Sequence, residues 1–447
     1  MDVRFPGICR QILFLSVLAL SWPVLAQTGS REDEPASGQP EATTRKDLWR
    51  QARLQKLQDL QPYQSAVEKV FLFIEGSASL GFLDDDAQSV LDRALIYADQ
   101  YSLFSVPFVN LKGVTPKLGI ITDGSHLAFG VGFKSHEMRG WPLDFASTAA
   151  FSLRGYQLYD VQVGEIARED ERLFAYADLS YRSYPQEDFF GLGPDSLESN
   201  RSDFLIEQAG YEGVLGYQFN EWLGAAVRAG FLQVNVDPGT DDRFPDTQEA
   251  FATADLSGLA QQPSFFHVDS GLYFDYRDVP GNPHRGGILR LSLSRFDDRE
   301  GDLFEFNRYA LDARQYLPLG SPQRVLAFRF LTSVDDAGEG NLIPFYFQET
   351  LGGSQILRGF PRQRFRGPNI LYLSAEYRWE AAPALELAFF YDSGKVYREG
   401  SELNFSGLED SFGAGVRLKT SSSVVFRLDV ARSNEGVEVH FAIGPSF

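Results

Sequence analysis

From about Leu118 to the last residue, apolar and polar side chains alternate with a period of two, in runs of roughly ten residues divided by glycine, aspartate and proline. In "LYLSAEYRW", Leu371, Leu373, Ala375, Tyr377 and Trp379 face one way, and Tyr372, Ser374, Glu376 and Arg378 the other. "VVFRLDVAR" sets Phe426, Leu428 and Val430 against Arg427 and Asp429. "LELAFFYDSG" sets Leu385, Leu387, Phe389 and Tyr391 against Glu386, Phe390 and Asp392. A soluble sandwich alternates too, but in strands of about five or six residues. Longer strands with aromatic ends suit a closed barrel with lipid outside and a polar lumen.

The N-terminus agrees with that reading. Arg4 and Arg10 precede the apolar run Ile12 to Leu20, which is followed by Val24-Leu25-Ala26. This is the order of a secretory leader, with cleavage expected after Ala26. The run is well short of the roughly 18 apolar residues of a spanning helix. Cys9, the only cysteine, lies ahead of the apolar run and is expected to leave with it, so no disulfide and no lipid-bearing cysteine remain. An exported, cysteine-free chain fits the bacterial periplasm or outer membrane better than a small extracellular domain that needs disulfide staples. No later apolar run is long enough for a membrane helix, so any membrane crossing must be made by strands. The formal net charge of -20 argues against a nucleic-acid partner.

Four regions follow: a leader at 1–26, a disordered tether at 27–42, a periplasmic helical segment at 43–106 and an outer-membrane barrel at 107–447. Within 43–106, a short strand is expected from Lys69 to Ile74. A helix follows Asp84, Asp85 and Asp86, where Val90, Leu91, Ala94, Leu95 and Ala98 recur at helical spacing. The alternation predicts strands at 117–122, 126–134, 145–163, 171–184, 203–219, 222–236, 264–277, 287–296, 303–317, 322–334, 370–380, 384–397, 411–420, 424–433 and 436–446. Barrels of this kind have even strand numbers, so one more is expected around Phe104 to Leu111. The fold class is therefore all-β, a transmembrane antiparallel barrel of sixteen strands. With both termini periplasmic, the longer connections at 185–202, 237–263, 335–369 and 398–410 are extracellular, and short ones such as "FNEW" and "EAAP" are periplasmic.

Three segments carry more than periodicity. "LGGSQILRGFPRQRFRG", Leu351 to Gly367, holds Arg358, Arg362, Arg364 and Arg366 without an acid, and its glycines Gly352, Gly353, Gly359 and Gly367 let it bend. Ordering so long a loop is costly unless it meets fixed partners. Strand parity turns Glu376 and Asp392 to the lumen, where they could meet an arginine fork. "FDYRDVPGNPHRGG", Phe274 to Gly287, closes one strand, turns through Pro280, Gly281 and Pro283 and opens the next. The chain ends in "VEVHFAIGPSF", with Val437, Val439, Phe441, Ile443 and Phe447 read on one parity and Gly444 as a kink.

These segments resemble the bacterial surface antigen family of outer-membrane assembly and translocation barrels, which includes the barrel of the BAM insertase and the two-partner secretion transporters. "LGGSQILRGF" with "RFRG" is similar to that family's long extracellular loop, which folds back into the barrel. "FFYDSGKVY" is similar to a strand of its inner wall. The resemblance implies that Arg358, in the motif with Gly359 and Phe360, is tied to Asp392 between Phe390 and Gly394. Glu376 is a second acid on the lumen side. It also implies a periplasmic turn motif carried by Asp275, Arg277, Asp278 and Gly286. Phe441, Ile443 and Phe447 look like the terminal signal read during barrel assembly. Family members usually carry periplasmic client-binding modules before the barrel. Residues 27–106 leave room for at most one, and do not show their order of strands and helices.

The function implied is insertion or translocation of outer-membrane proteins or lipids. The partners would be membrane lipid and lipopolysaccharide and a protein or lipid client, with no oligomeric state indicated. The alternative is a passive channel or structural barrel that keeps the fold without handling clients. A solvated basic loop on lipopolysaccharide phosphates is the competing reading of Arg358 to Arg366. No enzyme is expected, because His126, His136, His267, His284 and His440 are scattered, without a paired nucleophile or metal-ligand spacing. The sequence therefore indicates no catalytic residue, metal or cofactor.

Overall fold

The computed structural model describes residues 102–105, 113–135, 143–165, 172–252, 256–382, 384–419 and 424–447. The expected leader, the tether, the strand at Lys69 to Ile74 and the helix after Asp84 to Asp86 lie outside the described residues. The alternating runs become an antiparallel meander. Its strands are β1 (Ser102–Ser105), β2 (Val114–Ile120), β3 (Leu127–Ser135), β4 (Asp144–Ser152), β5 (Gln157–Glu165), β6 (Leu173–Phe189), β7 (Ser202–Gln218), β8 (Leu223–Pro238), β9 (Ser264–Asp275), β10 (Gly286–Asp298), β11 (Phe306–Leu319) and β12 (Ser321–Asp336). After a hairpin of β13 (Glu349–Leu351) and β14 (Phe365–Gly367), it resumes with β15 (Asn369–Ala382), β16 (Leu385–Tyr397), β17 (Glu409–Lys419), β18 (Val424–Arg432) and β19 (Val437–Ile443). β12 pairs with β15, so the hairpin stands apart from the wall. β2 to β12 and β15 to β19 form a nearly closed barrel of sixteen strands.

The sixteenth strand arises elsewhere than expected. The run expected as one strand at 145–163 is two, β4 and β5, turned at Leu153–Tyr156 with Gly155 at φ +82°. Of the strand expected at Phe104 to Leu111, only Phe104 and Ser105 fall in a described strand. They belong to the short β1, which pairs with β2 beyond the sixteen.

Exposure is inverted relative to a soluble protein. Leu428 and Val430 are each 45% exposed, whereas Arg427 and Asp429 between and beside them are 1% and 0% exposed. Lipid replaces water on the outer face, and the charges turned inward must be paired to be tolerated there. The long connections 190–201, 239–263, 337–368 and 398–408 share one end, and the turns 219–222 and 276–285 the other. At the long-loop end, Phe189, Phe204, Val236, Leu256, Leu259 and Phe345 pack into an apolar cluster.

Candidate functional site: the inward loop and the seam

The connection between β12 and β15 carries the basic segment. β13 and β14 pair through Glu349 with Gly367, Thr350 with Arg366 and Leu351 with Phe365, which brings the two ends of the loop together. Leu351, Leu357, Phe360 and Phe365 pack with Ile370, Tyr372 and Val396 of the wall, so burial of apolar side chains draws the loop into the lumen. Gly352 and Gly353 take φ +111° and +115°, open to glycine at no steric cost. Gly359 serves differently: a Cβ there would collide with the side chain of Ser411. Leu357 and Gln363 hold φ +55° without being glycine. That strain costs roughly 1–2 kcal/mol each and persists only where surroundings fix it.

What fixes it is a set of charge pairs. Arg358, 1% exposed, donates from Nε and Nη2 to both oxygens of Asp392, each at 2.8 Å. Its Nη1 donates to Glu376 Oε2 at 2.7 Å, and its backbone N–H reaches Asp392 Oδ2 at 3.1 Å. The guanidinium lies 3.4 Å from the ring centroid of Phe390. Burial acts to lower the pKa of Arg358; Asp392, by charge and hydrogen bonding, and Glu376 outweigh it and hold the group well above its ordinary value. The structure thus brings Arg358 together with Asp392 and Glu376, and the stacking on Phe390 is a contact that the sequence did not indicate. Gly394 lies where a Cβ would come 2.9 Å from Leu371 O.

Glu376 also accepts from Arg378 Nε at 2.6 Å, Arg417 Nη2 at 2.7 Å and Ser446 Oγ at 3.1 Å. Arg417 reaches Glu386 at 3.1 Å, and Arg427 pairs with Asp429 at 2.7 Å. Sequence reasoning missed Arg378, Arg417 and Arg427 as members of the site. Parity alone turns Arg378, Arg427 and Asp429 inward, but the register that unites them with Glu376 is not written in any single strand.

The other loop arginines have separate partners. Arg362 donates to Glu187 Oε1 at 2.7 Å and to Asp123 O at 3.0 Å. Arg364 grips Glu435 through Nε and Nη2, as close as 2.6 Å, and donates to Ser196 Oγ at 2.9 Å. Among the described residues, Arg366 meets no carboxylate at bonding distance; it donates to Phe345 O at 3.1 Å and to Gln363 Oε1 at 2.9 Å. Burial draws its pKa down to about 10. Of the loop backbone, Ser354 N donates to Asp123 Oδ2 at 2.6 Å, Gly359 N donates to Ser411 Oγ at 3.2 Å, and Ser354 O accepts from Arg427 at 2.9 Å. His440 Nε2 donates to Arg358 O at 2.6 Å.

Asp123 lies just after β2, and Glu435 and His440 lie just before and within β19. The loop therefore holds both sides of the seam. β2 and β19 are neighbours in the strand order. Among the described residues, however, no residue-by-residue register links them as one links β2 to β3 or β18 to β19.

The turn motif is also ordered. Arg277 forks onto Asp275 at 2.9 and 2.8 Å and donates to Pro280 O at 3.0 Å. Asp278 Oδ1 accepts the N–H groups of Val279, His284 and Arg285 at 2.9, 3.0 and 3.2 Å. Gly286 sits at φ +96°. In the last strand, Phe441 is 58% exposed on the lipid side, while Ile443 is buried. The parity does not extend to Phe447. The chain turns at Gly444 (φ +87°), and Phe447 is buried with Tyr316, Val325 and Ala327, its ring 5.1 Å from the guanidinium of Arg378.

Residues 166–447 match the Omp85 superfamily domain. No sequence relative is found among curated proteins. Among solved structures, BamA from Haemophilus ducreyi lacking POTRA domains 1-3 is similar with a TM-score of 0.57 at 14% identity, over 74% of this chain and 69% of that one. CdiB from Escherichia coli is similar with a TM-score of 0.50 at 14% identity, over 74% of this chain and 62% of that one. At such identity the likeness is one of fold.

Proposed function

Because the chain belongs to the Omp85 superfamily and is an outer-membrane β-barrel, we propose that it inserts or translocates outer-membrane proteins or lipids. In this reading the seam between β2 and β19 is the moving part, and the loop bearing Arg358 is its brace. The observation that carries it is the pairing of one loop with Asp123 on the β2 side and with Glu435 and His440 on the β19 side, across a junction at which no ladder joins the two strands among the described residues. A barrel that needed only to stand in the membrane would gain nothing from leaving that junction weak. The long-loop end faces outward, towards lipopolysaccharide, and the short turns and Phe447 face the periplasm. The client is a protein or lipid taken up at the seam.

The test is depletion followed by an inventory of the outer membrane, with Arg358→Ala as complementing variant. General loss of barrels points to assembly, and loss of one surface component to dedicated export. An unchanged inventory, with steady single-channel currents from the purified protein, would overturn the reading in favour of a passive channel.

A further inference from the structure

Of the connections at the long-loop end, that at 337–368 turns inward and bonds to lumen-side residues such as Asp392. The connection at 398–408, between β16 and β17, goes the other way. On β16, Glu386, Ala388, Phe390 and Asp392 face the lumen, so Phe389, Tyr391, Ser393, Lys395 and Tyr397 belong to the outward parity. Lys395 is nonetheless buried, and its ammonium directs all three donors to this connection: Glu402 O at 2.8 Å, Asn404 Oδ1 at 3.0 Å and Ser406 O at 2.9 Å. The connection therefore folds over the outer wall of the barrel, not over the lumen. Asn404 Oδ1 also accepts from Ser406 N at 2.9 Å, and Glu402 Oε2 accepts from Arg398 N at 2.8 Å, which fixes the backbone at both ends of the bend. On this fixed frame Leu403 is 51% and Phe405 69% exposed.

We infer that Leu403 and Phe405 form a wedge that dips into the lipid leaflet at the long-loop end, the outer leaflet in the orientation given above, with Lys395 as the peg that sets its depth. Single exposed apolar side chains are ordinary on a protein surface, but these two stand where lipid is the neighbour. Tyr391 and Phe412 lie opposite each other in the ladder of β16 with β17, both outward and exposed, and continue the lipid-facing wall below the wedge. An apolar band about 25 Å tall, crossed by strands tilted about 40°, takes up roughly ten residues. Counted from Leu385, the first outward residue of β16, the band ends near Gly394, just short of Lys395. The peg therefore stands at the edge of the hydrocarbon. Apolar side chains on an interfacial segment bury about 5–10 Å into the boundary of headgroups and acyl chains, and both Leu403 and Phe405 start from that boundary. The ligand is thus the acyl region of the leaflet itself, met as a continuation of the barrel's lipid surface.

The test reads depth in the membrane. In a Cys9→Ser background, a fluorescent label is placed at Leu403→Cys, at Phe405→Cys or, on another connection of the same end, at the exposed Glu339→Cys, and each folded protein is put into phosphatidylcholine vesicles. Lipid carrying a nitroxide on the fifth acyl carbon should quench the labels at 403 and 405 at least threefold more than the label at 339, and aqueous iodide should quench them at least threefold less. Lys395→Met, checked for native heat-modifiable migration, should move the label at 405 at least halfway to the values of the control. Labels at 403 and 405 as open to iodide as the control would overturn the wedge. Shielding from both quenchers would assign the pair to a contact with a second copy or another protein and overturn it as well. Quenching unchanged by Lys395→Met would overturn the part given to the peg. No client is present and the seam is not involved, so the outcome is independent of whether the protein inserts or translocates anything.

Discussion

Arg358 and Arg366 stand in one loop, 1% and 3% exposed, yet their charges meet different company. Arg358 has a fork on Asp392 and a third bond to Glu376. Arg366 has only a carbonyl and an amide oxygen, with its Nε lacking a partner among the described residues. Breaking a buried pair leaves an uncompensated charge and costs about 3–5 kcal/mol, whereas replacing a poorly paired buried charge by an apolar group of similar volume is often neutral. Arg358→Ala should therefore lower the free energy of unfolding in lipid vesicles by about that amount and expose Gly352 to Arg366 to protease. Arg366→Met should stay within about 1 kcal/mol of the native protein in the same measurement. Equal losses in the two variants would show that apolar packing of the loop, not the pairing of its charges, holds it. Arg358 and Asp392 could be singled out in the sequence because a motif and a strand parity named them. Arg417 could not, because its place beside Glu376 depends on how β15, β16 and β17 slide against one another.

At the scale of elements, the long strands were legible wherever glycine or proline marked their ends. β4 and β5 merged because the alternation continues through Leu153 to Tyr156 with one glycine as the only punctuation. Phe447 was misread for a related reason: parity assumes a strand, and Gly444 ends the strand by taking a positive φ. Glycines at other turns predict consequences of their own. Gly286 and Gly338 both hold positive φ, +96° and +68°. A Cβ at Gly286 would strike the backbone oxygen of Tyr276, while one at Gly338 meets nothing within 4 Å. Gly286→Ala should thus cost about 1–3 kcal/mol and slow folding of the β9–β10 hairpin, and Gly338→Ala about 1 kcal/mol or less, in the same unfolding assay. On the outer wall, Leu428→Arg puts a charge into lipid midway along β18 and should cost about 2–4 kcal/mol. A negligible effect would mean that this face does not meet lipid.

At the scale of the molecule, we propose a barrel whose junction between β2 and β19 is weak and is bridged by a loop that crosses its interior. The wall could be inferred from periodicity, because lipid outside and polar groups inside impose a pattern on every strand. The bracing could not, since Asp123, Glu187, Ser196 and Glu435 come from four separate turns and strand ends with no motif in common. Their meeting with Ser354, Arg362 and Arg364 is a property of the closed barrel. The bracing of the seam by this loop is the central claim, and a distance across the seam tests it most directly. With Cys9→Ser, spin labels at His126→Cys and Asn434→Cys, both exposed, report the gap between the β2–β3 and β18–β19 turns. A single narrow distance distribution is predicted for the otherwise native protein in lipid nanodiscs, and a broader one shifted to longer distances when Arg358→Ala is added. The same narrow distribution in both proteins would contradict the account.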